Sequence, residues 1–238
     1  MLKLENIQGG YISGSLVLQG IDLLMHPGEV VGIIGLNGCG KSTLGKAILN
    51  MLPFRSGNIF FKGLDLSRLN VHQLHDAGIG MLMQGGRVFS QMTTWEHLKF
   101  AGKSMTEKAI KNRLKEIEEQ YGLIIFTAGI AFNSKGSYLS GGQKQHLALM
   151  MALLNKPKLL ILDEVSAGLS PGNVLMVAEV IKKLKEDKTI GIILIEQNIK
   201  LASQLSDRLL LLERGIIDQE FKIDDTFDFN KLNENIFN

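Results

Sequence analysis

The apolar positions of this chain come first in short runs, then at helical spacing, then in short runs again. Near the start stand KLENIQGGYI, SLVLQGIDLLM and EVVGII, the last two separated by the turn Pro27-Gly28. They predict three strands within residues 1–34. Residues 43–52 predict a helix stopped by Pro53, GNIFFKG (57–63) a further strand, and AGIGMLMQ (77–84) another that runs into a glycine-rich turn. From about 94 to 155 the signals are helical. TEKAIKNRLKEIEEQYG sets Ile110, Leu114, Ile117 and Tyr121 at helical spacing behind a Thr106 cap, and a second helix starts at SGGQKQHLALMMALLN. Beyond Pro157, KLLILDE and TIGIILIE flank a helix predicted near 171–186. Continuous rather than alternating apolarity marks strands buried on both faces, so this strand–helix–strand order predicts a parallel sheet. A helical block is thus inserted into an α/β core.

Composition narrows the classes. The chain has 238 residues and is 45% hydrophobic, enough for a full core. A net charge of +2 gives no phosphate track for nucleic acid, and Lys182, Lys183 and Lys185 stand among Glu186 and Asp187 as a solvated helix face. The single cysteine, Cys39, excludes an intrachain disulfide and fits a reducing compartment. MLKLENIQGG has no signal pattern, and no apolar run reaches the ~18 residues needed to cross a bilayer. A soluble chain able to dock on a membrane protein is expected.

The strongest local signal is GLNGCGKST, Gly35-Leu36-Asn37-Gly38-Cys39-Gly40-Lys41-Ser42-Thr43, between a strand and a helix. Gly35, Gly38 and Gly40 allow a tight turn that aims backbone N–H groups at phosphate oxygens, and the helix start adds its dipole. Lys41 is placed to reach the β- and γ-phosphates, and the Ser42 hydroxyl to ligate Mg²⁺. Cys39 reads as a small loop residue. A second acidic site follows in KLLILDE. Asp163 at the strand end suits a Mg²⁺ contact, and Glu164 suits polarisation of the attacking water. Guanine recognition is disfavoured: in Asn155-Lys156-Pro157-Lys158 a lysine stands where a base-reading aspartate belongs.

YLSGGQKQ (138–145) places Ser140, Gly141, Gly142 and Gln143 at a second helix N-terminus able to bind an anion. One chain with one phosphate loop has little use for it, whereas two facing chains could each cap the other's nucleotide. GLNGCGKS, Gln84, LSGGQ and LLILDE, in this order and spacing, resemble the ATP-binding subunits of ATP-binding cassette (ABC) transporters over residues 2–218. The resemblance implies an α/β fold of the P-loop NTPase (RecA-like) class with an N-terminal antiparallel β subdomain and an inserted α-helical subdomain. The single domain 1–238 would divide into a core of about 1–84 and 156–238 and a helical part of about 85–155. It implies ATP and Mg²⁺ as ligands, with two ATP at the interface of a homo- or heterodimer. By the same resemblance, Tyr11 is the aromatic residue that stacks on adenine. Gln84 senses Mg²⁺ and water, and Ser140 and Gly142 contact the γ-phosphate from the opposite subunit. Gln197 in IEQN takes the place of a switch residue that is usually histidine. An amide donates a hydrogen bond to phosphate but shuttles no proton.

GGRVFSQMTTWEHL (85–98), SAGLSP (166–171) and IEQN (195–198) narrow the resemblance to ATP-binding subunits of branched-chain and related amino-acid importers. The implied partners are transmembrane permease subunits and an extracytoplasmic solute-binding protein, with the chain cytoplasmic and peripheral on the inner face of the membrane. A soluble ABC-type ATPase acting on DNA or ribosomes is the alternative, but such proteins tend to carry two cassettes or long coiled coils. Departures from the pattern are Val165 where proline is usual after the acidic pair, Ser170 where aspartate is usual, and Met151 in place of an arginine. Gln84 itself stands where close importer subunits often have glutamate. The tail DDTFDFNKLNENIFN matches no pattern and is expected to pack as an extra strand or helix or to contact a partner.

Overall fold

A computed structural model describes residues 1–123, 130–229 and 232. In chain order its elements are β1 (Leu2–Gly10), β2 (Leu18–Met25), β3 (Val30–Ile34), α1 (Lys41–Ile48), β4 (Phe54–Phe61), β5 (Leu64–Asp65), α2 (Val71–Asp76) and β6 (Ile79–Leu82). Then come α3 (Thr94–Ala101), α4 (Glu107–Tyr121), α5 (Gly141–Leu154), β7 (Leu159–Asp163), α6 (Pro171–Asp187), β8 (Gly191–Ile195), α7 (Ile199–Leu205), β9 (Arg208–Glu213) and β10 (Ile216–Lys222). An antiparallel sheet runs in the order β2-β1-β4-β5, and a second sheet in the order β10-β9-β3-β8-β7-β6. In the second sheet all neighbours are parallel except β10, which pairs antiparallel with β9.

Every residue of β3, β7 and β8 is buried, as continuous apolar runs require. Alternation then divides them between two cores. Leu160, Leu162, Ile192 and Leu194 face one way, packing with Leu98, Ile117, Leu147 and Leu153 from α3, α4 and α5. Ile161, Ile193 and Ile195 face the other, against Leu44 and Ile48 of α1 and Leu4 and Ile7 of β1. The central strands are covered by helices on one side and by α1 and the antiparallel sheet on the other.

Local signals set the helix limits. Thr106 caps α4 by accepting from the Ala109 N–H at 3.2 Å, and Ile110, Leu114, Ile117 and Tyr121 are all buried. The helix ends at Gly122 in a left-handed conformation (φ 70°). Helix α1 begins at Lys41 and stops at Ile48, so it starts and ends earlier than the pattern over 43–52 predicts. The cause of the early stop is Asn50, which adopts φ 53° and donates its side-chain amide to the Leu66 and Leu69 carbonyls. Pro53 lies beyond a helix that has already ended. Ahead of α5, Ser140 and Gln143 form a reciprocal capping box.

His97 of α3 is fully buried. Its Nε2 accepts from the Phe89 N–H at 2.8 Å, which requires the neutral ring, and Nδ1 then donates to the Thr93 carbonyl at 2.7 Å. The segment after Gln84 is thereby fastened to α3. Part of the tail is also packed: Leu232 is buried with Ile34, Ile199, Leu209 and Leu211, and Phe227 and Phe229 lie against the same cluster. Residues 230, 231 and 233–238 of the tail fall outside the described residues.

The two sheets are joined by Arg208 at the start of β9. Its Nε donates to Glu29 at 2.6 Å, Nη1 to Glu220 at 2.9 Å, and Nη2 to the Leu24 carbonyl of β2. The Arg208 and Glu29 side chains are only 15% and 14% exposed, so losing one strands the other's charge. Arg208→Ala is expected to lower unfolding free energy by about 3 kcal/mol, measured as a shift in the urea midpoint. Arg208→Lys should recover little of it, because an ammonium lacks the planar fork that reaches three partners.

Candidate active site

The loop from Ile34 to Lys41 joins β3 to α1 with Gly35, Gly38 and Gly40 at φ 148°, 81° and 112°. A Cβ at Gly35 would lie 2.2 Å from the Leu212 carbonyl oxygen, so only glycine lets the loop leave β3 along this path. The loop is braced from behind by the Gly215 N–H, which donates to the Cys39 carbonyl at 3.0 Å. Cys39 is half-buried, and burial pushes its thiol above the ordinary range. Leu36 and Asn37 are exposed on the loop. Lys41 folds back across the concavity, donating from Nζ to the Gly35 carbonyl at 2.8 Å and the Leu36 carbonyl at 3.0 Å. A cation held over a ring of backbone amides at a helix N-terminus is an anion cradle.

Ser42 in the first turn of α1 donates from Oγ to Asp163 Oδ1 at 2.8 Å. Asp163 ends β7 and is 4% exposed. Burial raises its carboxyl above the usual carboxylate range, the Ser42 hydrogen bond opposes this, and the neighbouring Glu164 charge adds to it. A buried carboxylate beside a hydroxyl, with the Gln84 amide on the neighbouring strand's exit, is a set of hard oxygen donors that fits Mg²⁺. Among the described residues there is no cluster of three or more His, Cys, Asp or Glu able to hold a metal by itself. Other ligands of such an ion would therefore come from substrate phosphate and water.

Glu164, the next residue, adopts φ 47°, a left-handed backbone that is strained for a side chain of this size. Its N–H donates to the Ile195 carbonyl at 2.8 Å, and its Oε2 accepts from the Gln84 amide at 2.8 Å. Gln197 follows β8 and lines a cavity of about 260 Å³ together with Glu164, Ser166, Ala167, Glu196 and Asn198. The fold thus brings the loop, Asp163, Glu164, Gln84 and Gln197 to one edge, where the parallel strands end.

Tyr11 lies beside α1 and is 46% exposed. Its hydroxyl accepts from Lys46 Nζ at 3.1 Å and lies 3.4 Å from the buried Thr43 Oγ1, and the Lys46 ammonium stands 5.1 Å from the ring centroid. The Ser140–Gln143 segment sits apart from this group. Ser140 Oγ accepts from the Gln143 N–H at 3.2 Å, and Gln143 Oε1 from the Ser140 N–H at 2.9 Å. Gly141 is open to solvent, and Gly142 packs against the Asn173 side chain of α6, where a Cβ would come within 2.3 Å. Sequence reasoning missed Glu196. It is 1% exposed and accepts from the Ser166 N–H at 3.1 Å and the Ser166 hydroxyl at 2.8 Å. The available signal was the pairing of SAGLSP with a carboxylate at the end of an apolar run.

Comparison with known proteins places this arrangement. Residues 18–167 match the ABC transporter family. The chain is 34% identical over 216 residues to a probable branched-chain amino acid transport ATP-binding protein, LivF, of Archaeoglobus fulgidus, covering 90% of this chain and 89% of that one. It is 32% identical over 234 residues to a methionine import ATP-binding protein, MetN 1, of Oceanobacillus iheyensis, covering 95% and 68%. A solved ATP-binding subunit of an ABC transporter superposes along the full length of both chains with a TM-score of 0.83 at 25% identity. The cradle, the paired carboxylates and the sheet that carries them agree with these likenesses: the chain belongs to the ABC transporter family, as one of its ATP-binding ATPase subunits.

Proposed function

We propose that this subunit hydrolyses Mg-ATP to drive import of an amino acid or related small solute through a membrane permease. The observation that carries the reading is the pair of 2.8 Å hydrogen bonds Ser42–Asp163 and Gln84–Glu164. They join the phosphate loop, two strand ends and the start of the helical segment into one polar cluster. The relatives named as importers of branched-chain amino acids and methionine support the solute class and weigh against a soluble ATPase of DNA or ribosomes.

Within this reading the residues divide the chemistry. The amides of Gly35–Thr43, with Leu36, Asn37 and Cys39 contributing backbone, hold the phosphates. Lys41 leaves the Gly35 and Leu36 carbonyls to meet the β- and γ-oxygens. Tyr11 offers its half-exposed ring to the adenine. Ser42 and Asp163, with Gln84, hold Mg²⁺, which supplies charge neutralisation on the transferring phosphoryl group. Glu164 polarises the attacking water, and Gln197 donates a neutral hydrogen bond to the γ-phosphate. Ser140, Gly141, Gly142 and Gln143 cap the nucleotide held by a second subunit, homo- or heterodimeric. The exposed N-terminus of α5 supports this, because Ser140 uses its oxygen for capping and keeps its O–H free to donate.

No helix among the described residues is long and apolar enough to cross a membrane. A permease is the proposed partner, and an apolar groove of about 610 Å³ between α2, β6 and α3 is its seat. Met81, Met83 and Met151 line it, Phe100 stands 60% exposed at its edge, and Arg87 and Lys103 bring positive charge to its rim, where His75 faces Asp76 at 3.7 Å. A short amphipathic permease segment matches that surface. The groove shares β6 with the chain leading to Gln84, so docking and the γ-phosphate side are mechanically joined. An extracytoplasmic solute-binding protein would complete the importer, with this subunit peripheral on the inner membrane face.

Three outcomes test the reading. Glu164→Gln should reduce ATP turnover by about 10²-fold or more and accumulate an ATP-bound dimer on size exclusion; normal turnover in a monomer would refute the assignment. The pH–rate profile of the native chain should show no step near pH ~6.5 that disappears in Gln197→Ala, since residue 197 carries no titrating ring. Phe100→Asp should keep basal ATPase activity and lose co-purification with the permease; retained co-purification would move the docking surface elsewhere.

A further inference from the structure

Glu196 is a carboxylate with 1% exposure and, among the described residues, no lysine, arginine or histidine bonded to it. Such a group is costly to bury, and burial raises its carboxyl above the ordinary glutamate range. Its side chain accepts two hydrogen bonds, from the Ser166 N–H at 3.1 Å and from the Ser166 hydroxyl at 2.8 Å. A carboxylate accepts both of these bonds on separate oxygens, whereas an amide of the same length has half the acceptor sites and adds two donors.

Its partners give the cost a purpose. Ser166 lies inside the turn closed by the Ala167 N–H on the Glu164 carbonyl at 3.1 Å, and that turn holds Glu164 at φ 47°. Gln197 and Asn198 form the exit from β8. The Glu196 N–H itself donates to the Ile33 carbonyl at 3.1 Å, one residue before β3 ends and the phosphate loop begins. Residue 196 therefore ties the Glu164 turn, through Ser166, to the chain that carries Gln197, and its backbone is bonded to the strand that opens the cradle.

We infer that Glu196 is a positioning residue that fixes Glu164 and Gln197 in a common geometry on the γ-phosphate side of the site. The inference rests on the proposed role of Glu164 in polarising water. Glu196 acts through Ser166 and through its chain connection to Gln197, and touches no reacting atom. Loosening it would let the strained Glu164 backbone relax, and a displacement of about 1 Å costs up to about 10²-fold in rate. ATP binding on the Lys41 side would be left intact.

Steady-state ATPase kinetics of the full chain test it. Glu196→Gln should lower kcat tenfold or more with the KM for ATP within twofold, and Glu196→Asp should restore part of the loss. Ser166→Ala, which removes one donor from a partly exposed loop and keeps the fold, should lower kcat by less. The double variant Ser166→Ala/Glu196→Gln should be no slower than Glu196→Gln alone, since both act on one link. Unchanged kcat in Glu196→Gln or Ser166→Ala, a melting temperature that falls without a change in kcat, or multiplicative losses in the double variant would each overturn the inference. Glu164→Gln separates this from the parent reading: normal turnover there removes the role of Glu164. An inactive Glu164→Gln beside a fully active Glu196→Gln removes only the link.

Discussion

Strands β7, β8 and β3 are hydrogen-bonded side by side in parallel, with Asp163 opposite Ile195 and Ile195 opposite Ile33. Parallel pairing makes all three stop at one level, and the backbone bonds continue one step past the strands, from Glu164 to Ile195 and from Glu196 to Ile33. Everything polar at the site depends on that alignment. A one-residue slip in any of the three would send alternate apolar side chains to the wrong core and withdraw a carboxylate from the edge. The burial of Leu160, Leu162, Ile192 and Leu194 on one face, and of Ile161, Ile193 and Ile195 on the other, holds the register from both sides.

At that edge the structure trades stability for arrangement. Asp163 and Glu196 are buried carboxylates with raised proton affinity, and Glu164 keeps a left-handed backbone. Protonation of the two buried acids in the folded chain, where their affinity is raised, relieves part of the cost, so they weaken the fold most where they are ionised. Apolar packing and the Arg208 junction absorb the deficit away from the site. Such local expense is the usual pattern at functional sites, where groups are held ready for charge that arrives with a ligand.

Much of this was legible in the chain. Continuous apolar runs named the central strands, GLNGCGKST named the cradle, and Thr106 with its spaced Ile110, Leu114, Ile117 and Tyr121 named α4. These are local signals, complete within a dozen residues. Features that needed partners far along the chain were not legible. Asn50 ends α1 because two carbonyls of the 66–69 loop wait for its amide. Arg208 reads as one more surface cation until Glu29 and Leu24 are beside it. Glu196 reads as the polar end of a strand, because nothing near it announces that Ser166 will supply both a hydroxyl and an amide. Tyr11 was marked by resemblance alone, and its bond to Lys46 appears only when β1 is laid against α1.

The place of β3 in the sheet also sets an order of assembly. Residues 30–34 lie near the amino end, yet both neighbours of β3, β8 and β9, lie near the carboxyl end, and the brace on the phosphate loop comes later still, from Gly215. During synthesis at about 5–20 residues per second, the apolar segment VVGII would wait on the order of ten seconds or more before either edge could be paired. The nascent chain must therefore carry this fully apolar strand unpaired while the helical segment is made, a situation suited to chaperone attention. The cradle cannot take its braced shape until nearly all of the sheet has left the ribosome, so its geometry is among the last features of the fold to be completed.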